Sequence, residues 1–271
     1  MTSDSEDGEG VADTGDKVTI TGENFGTDPS DISVSFNGTP AEFELVDEST
    51  IVATTPADYQ TGSVTVTIHG YTMTGGAMFN PNSKGDVTVL YLQNYKQPFA
   101  KANDESWKNG EWWTPAVWNQ NAASFNAKGN TTVSGMQYKS EEGLTLAFQN
   151  GWDKEAYTNG KMWQVATLRP GKYRLEVTYA YTLVVTDAGN FISVLIAKGD
   201  SESDIPNVAD LEQLNGVYVA YDKMGTANDS GTLVTPSFEV TETTDVVIGF
   251  LTSLAKGNSY FKVTELKLIL E

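Results

Sequence analysis

The sequence predicts an all-β protein of two sandwiches, a small one followed by a larger one. Three observations carry this reading. Apolar residues recur at every second position in short runs, the period of a strand with one buried face. Between the runs stand Gly, Asn, Asp, Ser and Pro, the residues of tight turns. Only one stretch has helical features, and 271 residues suffice for two such domains.

Residues 1–14, "MTSDSEDGEGVADT", are acidic, small and aperiodic, so a disordered tail is expected. From 15 to 80 the strands are plain. "KVTIT" sets Val18 and Ile20 against polar neighbours, "ISVSF" puts Ile32, Val34 and Phe36 on one side, and "SVTVTI" does the same with Val64, Val66 and Ile68. Residues 81–86, within "NPNSKGD", read as a linker. From 87 to 271 a second domain is expected, opening with a strand at "VTVLYL". In "KYRLEVTYAYT" the residues Tyr173, Leu175, Val177, Tyr179 and Tyr181 share one face. "NFISVLIA" is apolar on both faces, as a central strand would be, and "SFEV", "VVIGFL" and "YFKVTELKLIL" complete the set. The helix candidate is "DIPNVADLEQL", with Asp204 as its cap and Pro206 in its first turn. Many strands joined by irregular connections that contain glycine suggest a jelly roll.

Particular motifs sharpen this. "GDKVTITGENFGT", "ISVSFNGTPAEFELVDESTIVATTP" and "GSVTVTIHG" resemble an IPT/TIG domain, which implies a small immunoglobulin-like sandwich over residues 15–80. Such domains serve as spacers or interaction modules. "EDGEGVAD" supplies neither the opening strand nor the proline of that family, so the first strand is expected to be missing. Beyond it, "WTPAVWNQNAA", "LTLAFQNGW", "NGKMWQVATLRPGKYRLEV", "DIPNVADLE" and "VVIGFLTSLAKGNSYFKVTELKLIL" resemble a carboxy-terminal module of Bacteroidetes surface lipoproteins. That module is similar to galactose-binding-like, carbohydrate-binding jelly rolls. The resemblance implies an exported outer-membrane surface lipoprotein that handles polysaccharide. Its anchor cysteine is not in this chain, and other outer-membrane surface proteins are implied as partners.

Composition narrows the chemistry. The chain has no cysteine, which excludes disulfides and thiolate chemistry. No apolar run approaches the ~20 residues of a membrane helix, and no signal peptide is recognised. The formal charge is −19, and residues 1–80 hold 14 acidic residues against one lysine. Such a surface repels phosphate backbones and anionic headgroups, which argues against nucleic acid as a partner. The single histidine, His69, ends a strand with no nucleophile or metal ligand in a recognisable pattern around it. P-loop, Rossmann and HExxH motifs are absent, no D-x-D-x-D-G spacing marks a calcium loop, and no cofactor is implied. A glycosidase needs only two carboxylates at suitable separation. Asp104, Glu105, Glu111, Asp153 and Glu155 are the acids nearest the tryptophans.

Those tryptophans suggest the function. All six lie between 107 and 163. Trp163 alternates with Val165 and reads as core. Trp112 and Trp113, if on a strand, point to opposite faces, so one of them meets a loop, an interface or solvent. Around them stand Asn109, Asn119, Gln120, Asn121, Asn126, Gln149, Asn150, Asn159 and Gln164. An indole offers a plate for the C–H face of a pyranose, and amides match its hydroxyls without the cost of burying a charge. Trp112, Trp113, Trp118, Trp152 and Tyr157 are therefore the candidate residues for non-covalent glycan binding. The alternatives are a structural or protein-binding scaffold, in which the indoles pack the core, and a glycoside hydrolase or lyase.

Overall fold

The computed structural model describes residues 1–5, 10–80, 83–102, 112–125, 134–150, 156–186, 189–255 and 257–271. The protein is all-β and divides into two units, the first ending at Leu90 and the second beginning at Tyr91.

The first unit contains β1 (Thr2–Ser3), β2 (Lys17–Thr21), β3 (Ile32–Phe36), β4 (Thr39–Ala41), β5 (Phe43–Asp47), β6 (Thr50–Thr54), β7 (Gly62–Ile68) and β8 (Tyr71–Met78). Two four-stranded sheets, ordered β1-β2-β6-β5 and β4-β3-β7-β8, form a sandwich. The alternating residues meet inside it: Val18, Ile20, Val34, Phe36, Ile51, Val64 and Val66 are all buried. Phe25 joins them because Gly22 leaves it room, since a Cβ at Gly22 would meet the Phe25 ring at 2.5 Å.

The disordered tail expected at 1–14 is corrected here, among the described residues. β1 pairs antiparallel with β2, Thr2 opposite Thr19, and Val11 bridges Phe79 in parallel. Val11 and Ala12 are buried, and the Tyr59 hydroxyl donates to the Ala12 carbonyl. Two small apolar side chains within an acidic stretch close the core, and β1 lies where a missing first strand was expected.

A two-residue strand, β9 (Gly85–Asp86), and one helical turn, α1 (Thr88–Tyr91), lead out of the first unit. The strand expected at "VTVLYL" is this turn instead. Asp86 Oδ1 accepts from the Thr88 N–H at 3.0 Å and from the Thr88 hydroxyl at 2.6 Å, a local competitor to strand pairing.

The second unit holds β10 (Trp112–Trp113), β11 (Asn119–Gln120), β12 (Ser134–Lys139), β13 (Gly143–Asn150), β14 (Tyr157–Leu168), β15 (Gly171–Thr182) and β16 (Phe191–Lys198). It continues through β17 (Gly216–Ala220), β18 (Asp229–Val234), β19 (Phe238–Val240), β20 (Thr244–Leu254) and β21 (Ser259–Leu270). One sheet runs β11-β14-β20-β16-β17; the other runs β10-β12-β13-β21-β15-β18, with β19 also on β15. Between them pack Phe148 and Phe250, ring centroids 4.8 Å apart, with Leu146, Phe261, Val263, Ile192, Val194 and Ile248. Gln164 is buried among them, its amide accepting from the Gln93 N–H and donating to the Gln93 carbonyl.

The alternation of β15 holds for Tyr173, Leu175, Val177 and Tyr179, which are buried. Tyr181 departs from it: the register against β18 shifts after Tyr179, and Tyr181 has φ 52° and is exposed.

Strand β16 is apolar on both faces because both are covered. Ile192, Val194 and Ile196 face the interior, while Leu195 and Ala197 face outward with Trp163, Val247 and Leu251. Over this outer face lies the connection from β16 to β17, contributing Ile205, Val208, Leu211 and Leu214. The α-helix expected here is two 3₁₀ segments, Glu202–Asp204 and Val208–Gln213. Asp204 closes a capping box with Ser201 rather than starting a helix, and Asn207 precedes the second segment. The apolar side chains fall at 205, 208, 211 and 214, the three-residue period of a 3₁₀ turn.

Candidate functional site

The structure corrects most of the aromatic platform. Trp112 is 3% exposed, Trp118 5% and Tyr157 6%. The Trp118 indole N–H donates to the Asn94 carbonyl at 3.0 Å and its ring packs on Phe250, so its polar handle is satisfied inside. Tyr157 turns inward at a bulge in β14. Its ring lies over Gly160, where a Cβ would meet it at 2.7 Å, and its hydroxyl donates to Thr252 Oγ1 at 3.1 Å. Burial pushes that phenol well above its ordinary pKa. None of these three can stack on a sugar in this fold. Trp113 remains half-buried on β10, paired in register with Met136 and with Lys101 Nζ 6.0 Å from its ring centroid. Trp107, Trp152, Asn109 and Asn126 lie outside the described residues, as do Asp104, Glu105, Glu111, Asp153 and Glu155.

Two of the amides expected to meet a ligand instead fasten the β16–β17 connection to its sheet. Asn121 Oδ1 accepts from the backbone N–H groups of Ser124 and Lys161, both at 3.0 Å. Its Nδ2 donates to the Asn159 carbonyl and to Glu202 Oε1. Asn159 Oδ1 accepts from the Val208 N–H at 2.9 Å. Each 3₁₀ segment is thereby tied to the sheet beneath.

Beside this fastened layer opens a hollow of about 350 Å³. That is near the lower end of small-ligand sites, roughly 300–1,000 Å³. Lys161 and Lys198 enter it from β14 and β16; Asp204, Pro206, Asn207, Asp210, Gln213 and Asn215 come from the connection. Three of these, Asn207, Asp210 and Gln213, again recur every third residue, so one period sorts the segment into an apolar face on the sheet and a polar face on the hollow.

The groups in the hollow differ in their freedom. Asp204 Oδ2 already accepts from the Ser201 hydroxyl and the N–H groups of Ser201 and Asp200. The Ser201 hydroxyl chiefly, with those N–H groups, outweighs burial and holds this carboxyl below its ordinary pKa. The side chains of Asn207, Asp210, Gln213, Asn215 and Lys198 make no hydrogen bond or ion pair among the described residues. Lys161 is 6% exposed, and its ammonium has one partner, the Glu202 carbonyl at 3.4 Å. Burial lowers its pKa, partly offset by the Glu202 charge. Donors and acceptors are thus presented together without internal partners.

Elsewhere the chemistry is sparse. His69 pairs with Asp31 at 3.2 Å on an exposed turn. Among the described residues no cluster of His, Asp and Glu could hold a metal, and no helix is long and apolar enough to cross a membrane.

The sequence matches, over residues 93–249, the family described as "Domain of unknown function (DUF5013)". The chain belongs to this family. Every residue of the hollow lies inside the DUF5013 match, and an IPT/TIG domain matches residues 9–83 ahead of it. No curated protein matches the chain. Among solved structures, the Stig cyclase Fisc from Fischerella sp. TAU is similar at 14% identity, covering 64% of this chain and 96% of its own, with TM-score 0.40. The C-terminal CBM6 of a laminarinase from Zobellia galactanivorans is similar at 14% identity, with coverage of 57% and 99% and TM-score 0.30. The CBM22-1 xylan-binding domain from Paenibacillus barcinonensis follows at 10% identity, 63% and 97%, and TM-score 0.33. Likenesses this loose do not assign a function to the DUF5013 region, whose site must be argued from its own residues.

The sequence reading missed the hollow because it weighed aromatics and treated "DIPNVADLEQL" only as a helix. The signal was present as a period of three, apolar at 205, 208, 211 and 214 and polar at 207, 210 and 213.

Proposed function

We propose that the DUF5013 unit binds glycan non-covalently, in the hollow beside the β16–β17 connection. The observation that carries this is the set of unpartnered side chains there: amides from Asn207, Gln213 and Asn215, a carboxylate from Asp210 and an ammonium from Lys198. Sugar hydroxyls donate and accept at once, and this set does both. Pro206 adds an apolar surface for a ring's C–H face. The connection is fastened by Asn121 and Asn159, so little ordering is needed on binding.

The role is capture without cleavage. Hydrolysis of a glycosidic bond needs one carboxyl held protonated near neutral pH and a second beside it. The carboxylates lining the hollow are Asp204 and Asp210, and Asp204 is engaged by three donors and held ionised. The resemblance to surface lipoprotein modules supports a place at the outer-membrane surface, where one weak site gains effective strength from proximity to neighbouring sites. Affinities from micromolar to millimolar are expected, roughly 4–8 kcal/mol.

Calorimetric titration of the chain against a polysaccharide panel tests this. Binding should be seen and should disappear when Asn207, Gln213 and Asn215 are changed together to Ala. Silence across plant, host and microbial glycans rejects it. A second reading, protein contact through the IPT/TIG unit, has its own support: β8 is an uncharged edge strand with Tyr71 80% and Met73 44% exposed. Beside it a groove of about 290 Å³ opens onto Ile20, Phe25, Val64 and Val66.

A further inference from the structure

We infer that the hollow selects an acidic saccharide, a pyranose carrying a carboxylate, with Lys161 receiving the charge and the amides the hydroxyls. This rests on the glycan reading above and names the class of sugar.

The argument begins with Lys161. Its side chain lies between the sheet and the covering connection and is almost wholly buried, yet among the described residues no carboxylate lies within ion-pair distance of its ammonium, and the Glu202 charge acts on it only from farther away. The Glu202 carboxylate is turned to Asn121 instead, and only the Glu202 backbone carbonyl meets Lys161 Nζ, at 3.4 Å. An ammonium has three donors. One is weakly used, and two have no partner among the described residues. Buried charges are ordinarily paired, since isolation from water is costly. An amine so placed on the wall of an open hollow is a vacant counter-charge position.

Lys198 does not share this position: Lys161 pairs with Leu251 and Lys198 with Val246, five residues further along β20, so one carboxylate does not reach both. It comes from another strand, is half-buried and has no side-chain partner. The two acids of the hollow do not neutralise either lysine. Asp204 faces its own capping donors, and Asp210 makes no ion pair. A neutral sugar would leave the Lys161 ammonium without an anionic ligand, whereas a uronate carboxylate accepts from it. Its remaining hydroxyls then face Asn207, Asp210, Gln213 and Asn215, which can donate or accept as required. Lysine binds such a group as a point charge, without the bidentate fork of arginine. Selection should therefore depend on the charge and tolerate its exact orientation, and galacturonate and glucuronate are both admissible.

The test is titration of the full chain with galacturonate and glucuronate oligomers, and with the methyl ester of each, which removes only the charge. The acid form of at least one should bind at least tenfold more tightly than its ester, and the difference should shrink as salt rises from 50 to 500 mM. Lys198→Gln, at a half-exposed position, should lower affinity for acid and ester alike and leave that preference unaltered. Lys161→Met should abolish it while thermal stability is kept, because a buried unpaired charge is replaced by a side chain of similar length. Equal affinity for acid and ester, or a preference unaltered by Lys161→Met, overturns the inference and leaves glycan binding standing. Binding of no member of this panel or of the neutral panel overturns both.

Discussion

At the scale of single residues, aromatic side chains that composition offers for binding are buried instead. Trp118 is core, with its N–H on the Asn94 carbonyl and its ring on Phe250. Trp118→Ala should therefore lower unfolding stability by about 3–5 kcal/mol in urea titration, as for other buried aromatics, with glycan affinity of the folded fraction unchanged. A loss of affinity without loss of stability would return Trp118 to the binding site. Gly249 is a second sensitive position: a Cβ there would sit 2.1 Å from the Met162 carbonyl oxygen and 2.7 Å from Trp163 Cα, both backbone atoms that cannot swing aside. Gly249→Ala should cost about 1–3 kcal/mol by overpacking, read from the same urea curves. What the sequence could tell at this scale was limited. Two adjacent indoles on one strand must diverge, and Trp112 and Trp113 do; which others were interior depended on the β14 bulge and on Asn94, neither visible as a pattern.

At the scale of elements, strand periodicity was the reliable signal. β2 and β3 lie where "KVTIT" and "ISVSF" place them, because a two-residue alternation admits one register against a core. The failures came where local side-chain bonds compete: Asp86 turns "VTVL" into a helical turn, and the Ser201–Asp204 box converts a helix start into a 3₁₀ turn. The segment leading to β18 carries a further polar device. Asp229 Oδ2 accepts from the hydroxyls of Tyr179 at 3.0 Å and Tyr221 at 2.9 Å, with Lys223 3.7 Å from its other oxygen. Burial opposes the ionised carboxyl, but the two hydroxyls and the lysine outweigh it and hold the pKa below its ordinary value. A folded-state pKa below the unfolded one means that the stabilisation is complete above the unfolded value, about 3.9. It is lost as pH falls through the lower folded value. Thermal melts should accordingly show an acid limb below about pH 4 that is shallower in Asp229→Asn. An identical limb in that variant would remove Asp229 from the account.

For the whole molecule, charge and architecture set the partners. A formal charge of −19 on a chain with 36 acidic residues gives no footprint for a phosphate backbone. Gel-shift assays with DNA and RNA at ~150 mM salt should show no complex; a salt-sensitive complex would contradict the exclusion. The all-β class and the two successive sandwiches were legible from alternation and turn residues alone. The hollow proposed for glycan was not legible there, because amides and lysines on a 3₁₀ connection leave no aromatic signature. Its clue was a three-residue period that composition does not reveal.

The central claim is that ligand meets the hollow on the β16–β17 connection and not the tryptophan-rich strands. Hydrogen–deuterium exchange of the intact chain, with and without a saturating oligosaccharide found by the panel titration, tests it most directly. The account predicts new protection confined to residues 198–215 and the neighbouring part of β14 around Lys161. Protection centred on 112–118, with 198–215 exchanging as in the free protein, would contradict it.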